Sequence, residues 1–179
     1  MPDINTFTIR SYIENDHPKV CSIFKNGLLN LNYPEGFDIE PYIEESLATD
    51  LKNIETVYML EPGSHFWCAA NDTDIAGIVA IKKITDEVAE LRRMSVSDEF
   101  RHHGVATKLL KTAETFCVEN NYSKIKLTTT NMQIPAVNLY KKFGFTKYGK
   151  EAYSLITAYH FQKLLADIPL DKSDRFSQT

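Results

Sequence analysis

At 179 residues, with 43% apolar and 25% charged side chains, the chain has the length for one domain with a sizeable core and is too apolar to be disordered. A formal net charge of −4 disfavours a nucleic-acid partner, because a protein that binds such a polyanion needs a basic surface. Cys21, Cys68 and Cys117 are odd in number and far apart, with no CxxC spacing, so buried thiols are expected rather than a disulfide framework or a zinc site. Residues 1–6 lack the charged and apolar regions of a secretory signal, and no apolar run approaches the roughly 20 residues of a membrane span. The expectation is a single domain over residues 1–166, a polar, fraying tail over 167–179, no membrane partner and a cytoplasmic location.

In chain order, residues 7–10 alternate as a first strand. Residues 17–31 carry Val20, Cys21, Phe24, Leu28 and Leu31 at helical spacing, with Pro18 near the first helical position. A loop with Pro34 and Gly36 follows. A second helix over about 40–52 is expected to bury Tyr42, Ile43, Leu47 and Leu51. Residues 65–70 and 75–84 flank a polar turn, Asn71-Asp72-Thr73-Asp74, and read as a hairpin. Gly77 in its second strand marks a bulge. Residues 88–96 add a third strand, making an antiparallel meander. Trp67 and Phe66 in this region are expected in the core.

Residues 105–120 form an amphipathic helix with Ala106, Leu109, Leu110, Ala113, Phe116 and Cys117 on one stripe. A strand over 123–130 then places Ile125, Leu127 and Thr129 on one side. Strand, helix and strand in succession imply a parallel pairing and a right-handed crossover. Residues 135–143 form a further helix, with Gly144 at its C′ position. Residues 145–150 and 158–165 read as closing strands. The fold class expected is α/β (α+β), a mixed sheet with an antiparallel N-terminal meander and about four helices.

The chemistry centres on Arg101-His102-His103-Gly104-Val105-Ala106, which joins a strand to a helix. A helix N-terminus presents unpaired N–H groups and a positive dipole end, a ready anion site. Gly104 admits positive φ and close ligand approach. Neither the Walker spacing nor a dinucleotide G-x-G-x-x-G fingerprint is present. His102 and His103 have no third ligand in view, so no metal is expected and a basic lining is preferred.

About thirty residues later stands Pro135-Ala136-Val137-Asn138-Leu139-Tyr140-Lys141-Lys142-Phe143-Gly144-Phe145. The two stretches together resemble the GCN5-related N-acetyltransferase (GNAT) superfamily. Its acetyl-CoA loop reads R/Q-x-x-G-x-G/A and its later helix A-[IV]-x-L-Y-x-K-x-G-F. Arg101, Gly104 and Ala106 match the first pattern. Ala136, Val137, Leu139, Tyr140, Lys142, Gly144 and Phe145 match the second. Glu-Leu-Arg-Arg-Met-Ser-Val-Ser at residues 90–97 and Ser64-His65-Phe66-Trp67 resemble the camello-like branch, many of whose members carry a membrane segment that these 179 residues lack.

The resemblance implies a GNAT fold whose parallel strands splay at the cofactor site, and acetyl-CoA as co-substrate. It also implies a small-molecule or peptide amine as acceptor, and it leaves a homodimer open. Backbone amides of His102, His103, Gly104, Val105 and Ala106, with Arg101, would hold the pyrophosphate. Met94, Ser95 and Val96 would pair with the pantetheine arm, with Asn138 nearby. A backbone N–H near Met94 would polarise the acetyl carbonyl. Tyr140 is the candidate general acid for the leaving thiolate, and Glu90 the candidate general base for the incoming ammonium.

By strict alternation Glu90 shares a face with Arg92, Met94 and Val96. Glu90 lies about 13 Å from Met94 at roughly 3.3 Å per residue, so a water relay is expected. Tyr33, Glu35 and Phe37, between the first two helices, are candidates to line the acceptor cleft. A non-catalytic acyl-CoA sensor of the same fold is the alternative expectation, and a nucleotide-binding protein of another kind is a third.

Overall fold

The computed structural model describes residues 7–165; the tail expected over 167–179 lies outside them. Seven strands form one sheet: β1 (Thr8–Ser11), β2 (His65–Ala70), β3 (Ile75–Lys83), β4 (Val88–Val96), β5 (Lys124–Thr130), β6 (Thr146–Tyr153) and β7 (Ile156–Leu164). Their order is β1-β2-β3-β4-β5-β7-β6. The first four strands form an antiparallel meander, β4 and β5 are parallel, and β5, β7 and β6 are antiparallel again. The mixed sheet expected from the sequence is therefore present. The closing strands are longer than read: they join as a hairpin through Ser154 and Leu155, and β7 inserts between β5 and β6.

Both faces of the meander are covered, which is why β3 is buried from Ile75 to Ile81 rather than alternating. On one face α3 (Val105–Glu119) and α4 (Ile134–Lys142) pack Leu109, Leu110, Val137 and Tyr140 against Val79, Ile81 and Leu91. On the other face α1 (His17–Leu29) and α2 (Glu40–Ala48) pack Val20, Ile23, Phe24 and Ile43 against Ile78 and Ala80. Each Leu or Ile side chain fully removed from water here is worth about 1.5–3 kcal/mol. Phe66 and Trp67 are core residues, as expected. Among the described residues no helix is long and apolar enough to cross a membrane.

Four readings are corrected. Alpha 2 ends at Ala48, and Glu55–Met59, which the sequence left unassigned, is a π-helical turn that buries Tyr58. Tyr42 is 40% exposed rather than buried, because its edge of α2 faces a cleft and not the sheet. Cys21 is half-buried, whereas Cys68 and Cys117 are fully buried and their thiols are pushed up to about 12 by burial. The fourth correction concerns β4. Ile78 pairs with Ser95 but Ala80 pairs with Arg92, so one extra residue sits in β4, and Arg93 there has φ of 56°. This bulge reverses the alternation. Glu90 and Arg92 do not share a face with Met94 and Val96, which pack toward the α3 side. A second irregularity falls beside Gly77, between Ala69 and Ala70 of the facing strand.

Candidate active site

The parallel pairing of β4 with β5 is short. It runs only from Val88↔Lys124 to Glu90↔Lys126. Beyond that point β4 has lost its neighbour on the β5 side, while β5 continues to pair with β7 as far as Thr130↔Ala158. The two strands part just before the bulge at Arg93. The parting leaves a strand edge over Leu91 to Val96 whose backbone groups on that side have no strand partner, a slot for an extended, amide-bearing ligand.

At the end of β4 the chain passes through a 3-10 turn (Asp98–Phe100) and the Arg101–Gly104 loop into α3. His102 has φ of 65° and Gly104 has φ of 76°. Left-handed residues interleaved with ordinary ones turn successive N–H groups toward one concavity. Alpha 3 begins with Val105 buried as an anchor. Its first turn holds no acidic residue and receives no side-chain cap, so these N–H groups are left for an anion. A Cβ on Gly104 would meet no atom within 4 Å, which shows open space in front of the loop. Arg101 is held by Asp98 at 2.7 Å, and His102 and His103 are exposed. Among the described residues no group of three or more His, Cys, Asp or Glu is placed to hold a metal ion.

A cleft of about 480 Å³ opens where the strands part. Glu90, Arg92, Met94 and Ser95 line it from β4, Thr128 and Thr130 from β5, Ala136 and Tyr140 from α4, and Tyr33 and Tyr42 from the opposite layer. Tyr140 is 5% exposed, and burial pushes its phenol above the ordinary value, so it stays protonated and able to donate at neutral pH. Glu90 lies on the α1–α2 side with its carboxylate 3.7 Å from the Arg92 guanidinium.

Arg92 is one-third exposed to the cleft and lies 4.0 Å from Asp50, at the outer limit for an ion pair. Tyr33 faces the cleft, and burial pushes its hydroxyl up to about 12. Phe37 packs behind it, with ring centroids 5.0 Å apart, and touches Tyr153 of the β6–β7 hairpin at 6.3 Å. Glu35 is exposed outside the lining, as is Asn138 on the outer side of α4. The sequence reading missed Thr128, Glu151 and Tyr153. Thr128 was accessible from the alternation of β5, whereas Glu151 and Tyr153 belong to a hairpin whose turn carries no glycine or proline to mark it.

The model of the Acetyltransferase (GNAT) family matches residues 27–145. Among curated relatives, the chain is 42% identical over 112 residues to N-acetylaspartate synthetase of Homo sapiens, covering 62% of this chain and 37% of that protein. It is 29% identical over 139 residues to N-acetyltransferase 8 of Homo sapiens, covering 73% of this chain and 61% of that one. The chain thus spans less than two thirds of the length of these relatives.

Among solved structures, a GNAT-family acetyltransferase from Staphylococcus aureus Mu50 superposes with a TM-score of 0.75 at 20% identity, over 90% of this chain and 100% of that one. The PaiA N-acetyltransferase of Thermoplasma acidophilum, solved with coenzyme A, gives 0.72 at 20% identity over 89% and 99%. These structural likenesses bear on the fold. With the family match over the region that contains the parted strands, the left-handed loop and most of the cleft lining, the chain belongs to the acetyltransferase (GNAT) family.

Proposed function

We propose that this chain transfers the acetyl group of acetyl-CoA to a primary amine by direct attack within a ternary complex. The observation that carries this reading is the parting of β4 and β5 immediately in front of an uncapped, left-handed helix N-terminus. In this reading the N–H groups of His102 to Ala106 hold the pyrophosphate. The free edge of Met94 to Val96 pairs with pantetheine. The Met94 N–H takes the acetyl carbonyl and stabilises the oxyanion as the amine adds. Tyr140 reaches the gap from α4 and donates its proton to the departing thiolate.

Glu90 faces the other side of the sheet and accepts the ammonium proton through water. Its carboxylate lies 3.7 Å from the Arg92 guanidinium. Tyr33, backed by Phe37, closes the acceptor side. The relatives named N-acetylaspartate synthetase point to an amine that also carries carboxylate, and Arg92, loosely paired and open to the cleft, is suited to hold one.

The test is release of free CoA thiol from acetyl-CoA across acidic and neutral amino acids, cysteine conjugates, polyamines, aminoglycosides and peptides. Release with acidic amino acids above the others is expected. CoA binding by titration calorimetry with no release on any amine would overturn the catalytic reading in favour of a sensor. Tyr140→Phe is expected to lower kcat about 10²-fold with little change in either KM. An unchanged kcat removes Tyr140 from the chemistry.

A further inference from the structure

Arg93 combines a strained backbone with an unusually complete set of side-chain partners. Its φ of 56° is left-handed, a conformation that residues with a Cβ avoid, and it stands at the bulge that lifts β4 out of register with β3. Its side chain is 5% exposed. Nε donates to Asp50 at 2.9 Å and Nη2 donates to the other oxygen of the same carboxylate. Nη1 donates to Ser46 Oγ at 3.1 Å and to the Tyr42 hydroxyl at 3.3 Å. The guanidinium lies 4.9 Å above the Phe24 ring. Asp50 is itself buried and accepts the Tyr58 hydroxyl as well. One side chain therefore ties the catalytic strand to α1, to α2, to the segment after α2 and to the π-helical turn.

We infer that Asp50 is a positioning residue for acetyl transfer: by gripping Arg93 at two points it holds residue 93 left-handed and so fixes the Met94 N–H at the gap between β4 and β5. The inference rests on the reading that the acetyl carbonyl lies at Met94. A strand freed of this grip relaxes toward extended backbone, and loss of the extra residue from the ladder would turn each side chain beyond it to the other face.

A role in stability alone is the weaker account of the cluster. A buried ion pair gives back in attraction about what it loses in hydration, and apolar residues of similar volume commonly serve stability as well. What apolar residues lack is the planar fork that fixes a guanidinium in one orientation. The Tyr42 hydroxyl, on the exposed wall of the cleft, touches the same guanidinium, so the acceptor wall and the oxyanion donor share one anchor.

The test replaces both charges at once, with Asp50→Leu and Arg93→Met in one chain, because Asp50→Asn alone strands a buried cation and unfolds the site for an uninformative reason. The double variant is expected to melt near the wild-type temperature, the Tyr58 hydroxyl that loses its acceptor offsetting the charges removed, and to lose less in CoA affinity than in kcat, since the loop at α3 is untouched while the edge at Met94 to Val96 shifts. Its kcat is expected to fall about 10²-fold, the size seen when an oxyanion donor is lost. Its crystal structure is expected to show residue 93 with negative φ.

A wild-type kcat, or residue 93 still near φ of 56°, overturns the inference. The backbone readout holds whether or not the chain turns over acetyl-CoA, so failure of the catalytic reading shows separately, as a wild-type chain that releases no thiol. Arg93→Lys keeps the charge and loses the fork, and it serves where the double variant does not fold. A stable Arg93→Lys chain with wild-type kcat is equally fatal, whereas a kcat lowered more than CoA affinity supports the grip.

Discussion

Gly104 and Arg93 are both left-handed, and the reasons differ. Arg93 has a Cβ and is kept at positive φ by its buried side chain, at a conformational cost of about 1–2 kcal/mol. Gly104 has no Cβ and nothing near the place where one would stand, so its conformation is free of neighbours and open to a ligand. Gly104→Ala therefore creates no clash inside the protein. It strains the loop and puts a methyl group where, in the proposed reading, the phosphates approach. The expected result is a KM for acetyl-CoA raised about 10-fold or more, with kcat nearly unchanged and a melting temperature lowered by a few degrees. Steady-state kinetics at varied acetyl-CoA measure it. A fall in kcat at unchanged KM would place the loop in the chemical step instead of in binding.

Among the elements, β4 shows where reading a sequence succeeds and where it stops. Its start and end, its place in the meander and its parallel partner followed from residue types, turn signals and the strand–helix–strand order. Its bulge did not. Period-two alternation across Glu90 to Val96 is the natural count, and one extra residue reverses it without leaving a glycine or asparagine to mark the spot. The residue that makes the reversal stable, Asp50, lies 43 positions away in a stretch with no motif. The loop and α4 were legible for the opposite reason, since glycines at positive φ and proline at the first helical turn are local requirements that write themselves into the sequence. Beta 3 carries the same lesson at Gly77. A Cβ there would stand 2.9 Å from the Ser95 carbonyl oxygen and 3.0 Å from Leu109 Cδ1, so β3, β4 and α3 meet at a point that admits no side chain. Gly77→Ala is expected to destabilise the protein by about 1–3 kcal/mol through overpacking. The urea midpoint should fall with an unchanged slope, and a midpoint equal to wild type would mean that α3 shifts outward freely.

Across the whole molecule the two layers on the sheet differ in how they are held. The α3–α4 layer is apolar, with Leu109, Leu110, Ala113 and Phe161 at its centre. The α1–α2 layer is tied down at two buried carboxylates, and among the described residues Asp16 and Asp50 are the only buried ones. Asp16 accepts both Arg10 nitrogens, at 2.7 and 2.9 Å, together with the Ile13 N–H, joining β1 to the start of α1. Asp50 joins α2 and the π-helical turn to β4. Burial by itself raises both carboxyls. The hydrogen bonds and charges of Arg10, or of Arg93 and Tyr58, outweigh it and hold both below the usual carboxylate range. A carboxyl lowered on folding contributes stability at pH values above its unfolded value of about 3.9, and that contribution is lost as pH falls through the lower folded value. Stability should therefore fall slightly below about pH 6.5, where His65, lowered by burial, takes up its proton more readily in the unfolded chain, and steeply below about 4. The loss should be uneven, because protons attack one layer. Hydrogen exchange at pH 3 to 4 should show α1, α2 and the π-helical turn opening while α3 stays protected. In the proposed reading the cofactor loop belongs to α3 and the acceptor wall to α2, so CoA binding should outlast acetyl transfer as the pH is lowered. Equal loss of protection in both layers would show that the two carboxylates do not hold the α1–α2 layer in place.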